Sequence, residues 1–309
     1  MATTTPPPSA YRDPVVGDLV LRTSDQVDFH VHQRRLADVS HVFADMLSFP
    51  HPPSADNAVP TKPVVDVAEK SELWGKLLPL FCNDEEPRLS LADISSVLQA
   101  CRKYQASGVS SRMRAQLFIP PFLDEKPFTV YALACFGGFE DVAEAAAKRT
   151  LRLPACPEDV AEYSLISGRA VYRLIEYRKH CGEAASAVIC LAPGGNLTSR
   201  SSWLPDYINS YASAVSCPCG YGLSIYPQFG HSVRVRQCWV DFLNQLEEAV
   251  RATPCGEVVF SPSSLKPVLL ASKNGCGCEW KLDTQGVKFL SQVKTKIDES
   301  ISEVLVFEA

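Results

Sequence analysis

From Asp18 to His32 apolar and polar side chains alternate on either side of Ser24-Asp25-Gln26. Alternation with period two marks half-buried strands, and the polar trio between them marks a turn, so this stretch predicts a β-hairpin. Leu19 and Leu21 then share one face of the first strand, Phe29 and Val31 share one face of the second, and His30 and His32 point the other way. Beyond His32 the spacing turns helical at Leu36 and Val39, breaks at Ser40, and resumes at Val42, Phe43, Met46 and Leu47. Ser40 is placed to cap the second of two short helices by accepting a backbone N–H. Residues 49–62, rich in Pro, Ser and Asn, predict a loop, and Pro63-Val-Val-Asp-Val-Ala a short strand. Leu73, Trp74, Leu77, Leu78 and Phe81 make one helix face, and Leu91, Ile94, Val97, Leu98, Cys101 and Tyr104 another. Ser107 is placed to cap a further helix carrying Val109, Met113 and Leu117.

The residues in the first part of this pattern resemble those of the BTB/POZ domain. That family places an Asp before the first strand, Phe-x-x-His at the end of the second, and Leu-Ala-x-x-Ser-x-x-Phe across the first two helices. Asp18, Phe29, His32, Leu36, Ala37, Ser40 and Phe43 fall in that spacing. Gln33 departs from it, standing where the family commonly has Lys or Arg. The resemblance implies an α+β N-terminal BTB/POZ domain, a short sheet with a helical cluster, over residues 17–118. A mostly α-helical region with cysteine-rich stretches follows over residues 119–309. Residues 1–16, with consecutive prolines, read as a flexible tail.

The helical pattern continues from Phe128 through Val130, Ala134 and Cys135 to Gly137-Gly138, where paired glycines predict a break. Val142, Ala145, Ala146 and Leu151 form the next face. A long helix is predicted over 170–191, with Val171, Leu174, Ile175, Cys181, Ala185, Val188 and Ile189 inward. Val235, Trp239, Phe242, Leu243, Leu246 and Val250 predict another, and Val287, Leu290, Val293, Ile297, Ile301 and Val304 a last one. These stripes are wider than a heptad seam, which favours packing into a helical domain over a coiled coil. Thr150-Leu-Arg-Leu-Pro154, Pro254-Cys-Gly256 and Cys276-Gly-Cys278 are similar to phrases in BTB proteins of fungal, especially basidiomycete, type.

Charge narrows the function classes. The formal charge is -5, with no basic surplus in residues 1–120 or in the remainder, which argues against nucleic acid and against an anionic membrane surface as partners. The start of the chain has neither the basic and apolar regions of a signal peptide nor an anchor, so an intracellular site, cytoplasm or nucleus, is expected. In such a reducing compartment the twelve cysteines are thiols or metal ligands. Cys217, Cys219, Cys276 and Cys278 are zinc candidates, with His231, Cys238 and Cys255 also within the cysteine-rich stretch. One residue between paired cysteines, where zinc knuckles place two, counts against that site, and no cofactor is expected. A cysteine nucleophile with His231 or His180 as base lacks any family signature. No catalytic residue is assigned. His32 reads as a structural residue at a strand end, able to hold backbone or the Asp18 carboxylate, and His30 and His41 as ordinary polar residues. What the resemblance implies is an interaction protein that forms a homodimer or docks a protein partner, extending to a cullin-type ubiquitin-ligase adaptor. The alternative is a zinc-stabilised C-terminal binding module or a cryptic cysteine-dependent enzyme.

Overall fold

A computed structural model describes residues 11–49, 62–82, 84, 86–154, 160–190, 221–225, 233–266 and 284–306. They divide into two compact units, Met1–Ala143 and Glu144–Ala309.

The N-terminal unit starts with the predicted hairpin. Strand β1 (Leu19–Arg22) pairs antiparallel with β2 (Asp28–Val31), placing Leu19 opposite Val31 and Leu21 opposite Phe29. All four of these side chains are buried, so the alternation reported the inner face correctly. Gln26 takes a left-handed φ of 62° and donates its N–H to the Thr23 carbonyl, closing the turn. Helices α1 (Gln33–Val39) and α2 (His41–Ser48) follow, then β3 (Val64–Asp66), which joins β1 in parallel and gives the strand order β2-β1-β3. A parallel partner requires a crossover, and α1 and α2 supply it.

Helices α3 (Ser71–Cys82), α4 (Leu91–Tyr104), α5 (Ser107–Leu117), α6 (Pro120–Glu125) and α7 (Pro127–Gly137) complete the cluster. Trp74, Leu77, Leu78, Ile94, Val97, Val109, Met113 and Leu117 are fully buried, as their spacing predicted. Ser107 does not cap α5. The Gln105 and Ala106 N–H groups both return to the Cys101 carbonyl to end α4, so the connection is too tight to leave Ser107 outside the helix, and Ala106 holds the cap position. The cap of α4 itself was not anticipated: Ser90 and Asp93 form a reciprocal capping box.

The expected loose tail is part of the fold over residues 11–16. Tyr11 is buried and its hydroxyl donates to Asp84, while Lys62 Nζ donates to the carbonyls of Pro14 and Val16 at 2.6 and 2.9 Å. The unit also runs past residue 118, because α7 packs on α4, α5 and α6. Gly138, in a left-handed φ of 74°, ends α7, and α8 (Glu140–Thr150) begins after it; the boundary between the units falls inside α8.

The C-terminal unit is built on α9 (Gly168–Ile189), α10 (Gln237–Ala252) and α11 (Thr284–Ser302), with a β-hairpin of β4 (Tyr221–Ile225) and β5 (Val233–Arg236). Short 3-10 turns lie at Ala161–Leu165 and Gly256–Phe260. Trp239, Phe242, Leu246, Phe289, Val293 and Ile297 pack with Ala185 and Val188 as one core. Trp239 meets the edge of Phe289 at 5.4 Å between ring centres.

Three assignments to helix faces change. Ile175 is exposed, because the buried row through Leu174, Tyr177 and Cys181 leaves its neighbour about 100° around the helix. Val235 lies in β5: Val-Arg-Val-Arg alternates with period two up to the residue before α10. Val287 is also exposed, and Phe289 takes the inward place.

Candidate functional site

The seven residues that carry the family resemblance gather where β1, β2, α1 and α2 meet, and their roles separate cleanly. Phe29, Leu36, Ser40 and Phe43 are buried, Ala37 is half-buried, and Asp18 and His32 are exposed. Ser40 makes the centre of the group. Its hydroxyl accepts the Phe43 N–H at 3.2 Å, capping α2 as expected, and donates to the Tyr104 carbonyl at 2.5 Å, tying that cap to the end of α4. Phe43 then stacks on Tyr104 with ring centres 5.0 Å apart and meets Trp74 edge-on at 6.0 Å. The Tyr104 hydroxyl reaches Glu69 Oε2 at 2.6 Å, and Lys103 Nζ reaches Oε1 at 2.6 Å. Burial works to raise the Glu69 carboxyl, but these two donors hold it below its ordinary value.

Asp18 does not bond His32. Its Oδ1 accepts the Gln33 N–H at 2.7 Å, and the Gln33 side-chain amide donates to the Asp18 carbonyl at 3.2 Å. The first N–H of α1 is thus satisfied from the residue just before β1, and the Gln33 side chain completes a two-bond clasp. His32 occupies the cap position of α1 with no side-chain bond to the helix. Gly17 makes the clasp possible. Its φ is 77°, and a Cβ there would stand 2.4 Å from the Val31 carbonyl oxygen, so no other residue fits.

His30, His32 and His41 are spread over β2, the cap of α1 and the start of α2. Among the described residues no group of three or more His, Cys, Asp or Glu is placed to hold a metal ion. Cys217, Cys219, His231, Cys276 and Cys278 lie outside the described residues, so their placement enters no part of this site. Of the described thiols, burial pushes Cys101 up to about 12 and Cys181 up to about 11, so both are protonated at neutral pH. His180 is exposed while Cys181 beside it is fully buried, so the pair does not share a face. Compared with known proteins, the chain matches no family model, and no curated protein is significantly similar to it. No helix among the described residues is long and apolar enough to cross a membrane.

The surface around the motif carries apolar side chains. Phe49, just after α2, is 70% exposed, and Met46 within α2 is 39% exposed. Arg102 lies over the Phe136 ring at 5.2 Å, beside a groove that also borders His41, Cys101 and Ser107.

One residue of structural weight had no signal in the sequence beyond a turn. Asp25, in the hairpin turn, accepts from the Ser71 N–H at 2.9 Å, the Ser71 hydroxyl at 2.6 Å and the Thr23 hydroxyl at 2.6 Å, joining the hairpin to the start of α3. The Ser71 and then Thr23 hydroxyls hold its carboxyl well below the usual range. A depressed folded pKa contributes stability that is present above the unfolded value of about 3.9 and is lost as pH falls through it toward the folded one. Urea midpoints at about pH 6 and about pH 3 are therefore expected to differ less for Asp25→Asn than for the parent chain. Identical differences for the two proteins would show that this carboxylate is not linked to folding.

Proposed function

We propose that the chain is a protein–protein interaction protein that works through a BTB/POZ-like N-terminal unit, forming a homodimer. The observation that carries this reading is the element order. A hairpin, two short helices, a third strand returning parallel to the first and a helical cluster follow one another, with Phe29, Leu36, Ser40 and Phe43 buried at their junction. All four go to building the fold, so the work of the unit falls to its surface.

Phe49 and Met46 offer an apolar edge on α2 for a second copy. Burying such side chains against a twin stabilises by roughly 25 cal/mol for each Å² of apolar surface removed from water. In a symmetric dimer the same patch serves on both partners, so each substitution acts twice.

Two differently tagged full-length chains, co-expressed, are expected to purify together. Co-recovery should fall sharply when both carry Phe49→Glu, which places a charge in the contact. Wild-type chains that never co-purify would remove the homodimer reading. Equal recovery of the variant would move the interface away from α2. Within the same class, the role of cullin-type ubiquitin-ligase adaptor follows from the resemblance alone. Recovery of a cullin with the full-length chain from cells supports it, and its absence counts against it.

A further inference from the structure

Two of the phrases that resemble those of fungal BTB proteins, far apart in the chain, meet in the C-terminal unit. Thr150-Leu-Arg-Leu-Pro154 ends α8, and Pro254-Cys-Gly256 leads from α10 into a 3-10 turn. Part of each has a structural duty. The carbonyls of Thr150 and Leu153 accept bonds from the buried Arg178 guanidinium. The Gly256 N–H donates to Asp298 Oδ1 at 2.9 Å, and a Cβ at Gly256 would lie 2.6 Å from that oxygen, so a larger residue there would displace the Asp298 carboxylate.

Neither duty uses the side chains of Arg152 and Cys255. Both line one cavity of about 440 Å³, within the roughly 300–1,000 Å³ typical of small-molecule sites. Leu151, Ile301 and Val304 give it apolar lining, and Lys148, Arg152 and Lys294 bring three cations to it. Two carboxylates oppose them: Glu257 is paired with Lys294, and Asp298 is bonded by Gly256. Lys148 also pairs with Glu144 one helical turn away. The third cation, Arg152, is exposed and lies within electrostatic reach of Glu257 without a hydrogen bond or ion pair to it, and it carries a planar fork of donors suited to carboxylate or phosphate oxygens.

We propose that this cavity binds a small organic anion, a carboxylate or phosphate monoester with a compact apolar body. The anionic group sits on Arg152 beside Lys148, and the body lies against Leu151 and Val304. The half-buried Cys255 thiol lies on the same lining, so an occupant covers it.

Calorimetric titration of the full-length chain with inorganic phosphate, phenyl phosphate and benzoate at low salt tests this. One of the two aromatic anions is expected to bind saturably at one site and more tightly than inorganic phosphate. Preference between phenyl phosphate and benzoate identifies the anionic group. Arg152→Gln should weaken that binding at least about tenfold, the size expected for one lost charge-assisted hydrogen bond. Lys179→Gln, which removes an exposed cation of α9 outside the cavity, should leave it unchanged. The bound anion should also slow alkylation of Cys255, followed by peptide mass spectrometry, without slowing that of Cys190. No saturable binding of either aromatic anion, equal weakening by both substitutions, or an unchanged Cys255 rate would each overturn the proposal.

Discussion

Phe43→Ala is expected to cost about 3–5 kcal/mol, the range for removing a fully buried aromatic ring from a core. Phe43 is 0% exposed, and its ring lies between Tyr104 and Trp74, so truncation leaves a void that rigid neighbours cannot fill. The loss should extend beyond α2. Tyr104 stacks on Phe43, its carbonyl accepts the Ser40 hydroxyl, and its own hydroxyl is bonded to Glu69, which follows β3. Hydrogen exchange should therefore accelerate in β1, α2 and α4 together, at amides whose opening reports the whole unit. Faster exchange confined to α2 would mean that the aromatic group does not hold the sheet to the helices.

Arg178→Met should have a comparable effect in the C-terminal unit, about 3 kcal/mol or more. Arg178 is 7% exposed, and its guanidinium donates to the Thr150 and Leu153 carbonyls at the end of α8, one of those bonds measuring 2.7 Å. Burial pulls its pKa down, yet an arginine stays charged, and the negative end of the α8 dipole is a favourable place for it. Methionine fills similar volume but leaves two carbonyls without these donors, and a charge-assisted bond is worth about 1.5–3 kcal/mol. Exchange protection at 150–154 and across α9 is expected to fall. A variant with unchanged urea midpoint and exchange pattern would contradict this assignment.

The two residues differ in how far the sequence announced them. Phe43 was legible twice, as a member of a helical face and as the end of a recognisable spacing, because both signals are local. The hairpin and the α1–α2 break at Ser40 were legible for the same reason: period two, period 3.6 and a capping hydroxyl act over a few residues. Arg178 was not. Its pattern is that of any long helix, and only the return of α8's end against α9 turns it inward. Asp25 and Glu69 were hidden in the same way, since Ser71 lies 46 residues from the first and Tyr104 lies 35 from the second.

Local ambiguity accounts for the other differences. Tyr11 sits among prolines that suggest a loose tail, yet one buried ring and the Lys62 ammonium hold the segment. Ile175 and Leu174 are adjacent apolar residues, and periodicity alone could not say which faces in. His32 was read as able to hold backbone or the Asp18 carboxylate, and the Asp18 carboxylate instead accepts the Gln33 N–H. The backbone N–H at the start of α1 needs an acceptor more than the exposed His32 ring needs one, and Asp18 supplies it. The motif near the N-terminus thus reads chiefly as instructions for folding, and the proposed interaction surface falls to exposed side chains beside it, such as Phe49 and Met46.

The most direct test of that account is the mass of the full-length chain in solution, measured by light scattering over a concentration series, with bound zinc assayed on the same samples. A dimer that dissociates on dilution and carries no zinc is the predicted result. A strict monomer with one zinc per chain would contradict it and move the function to the cysteine-rich C-terminal half.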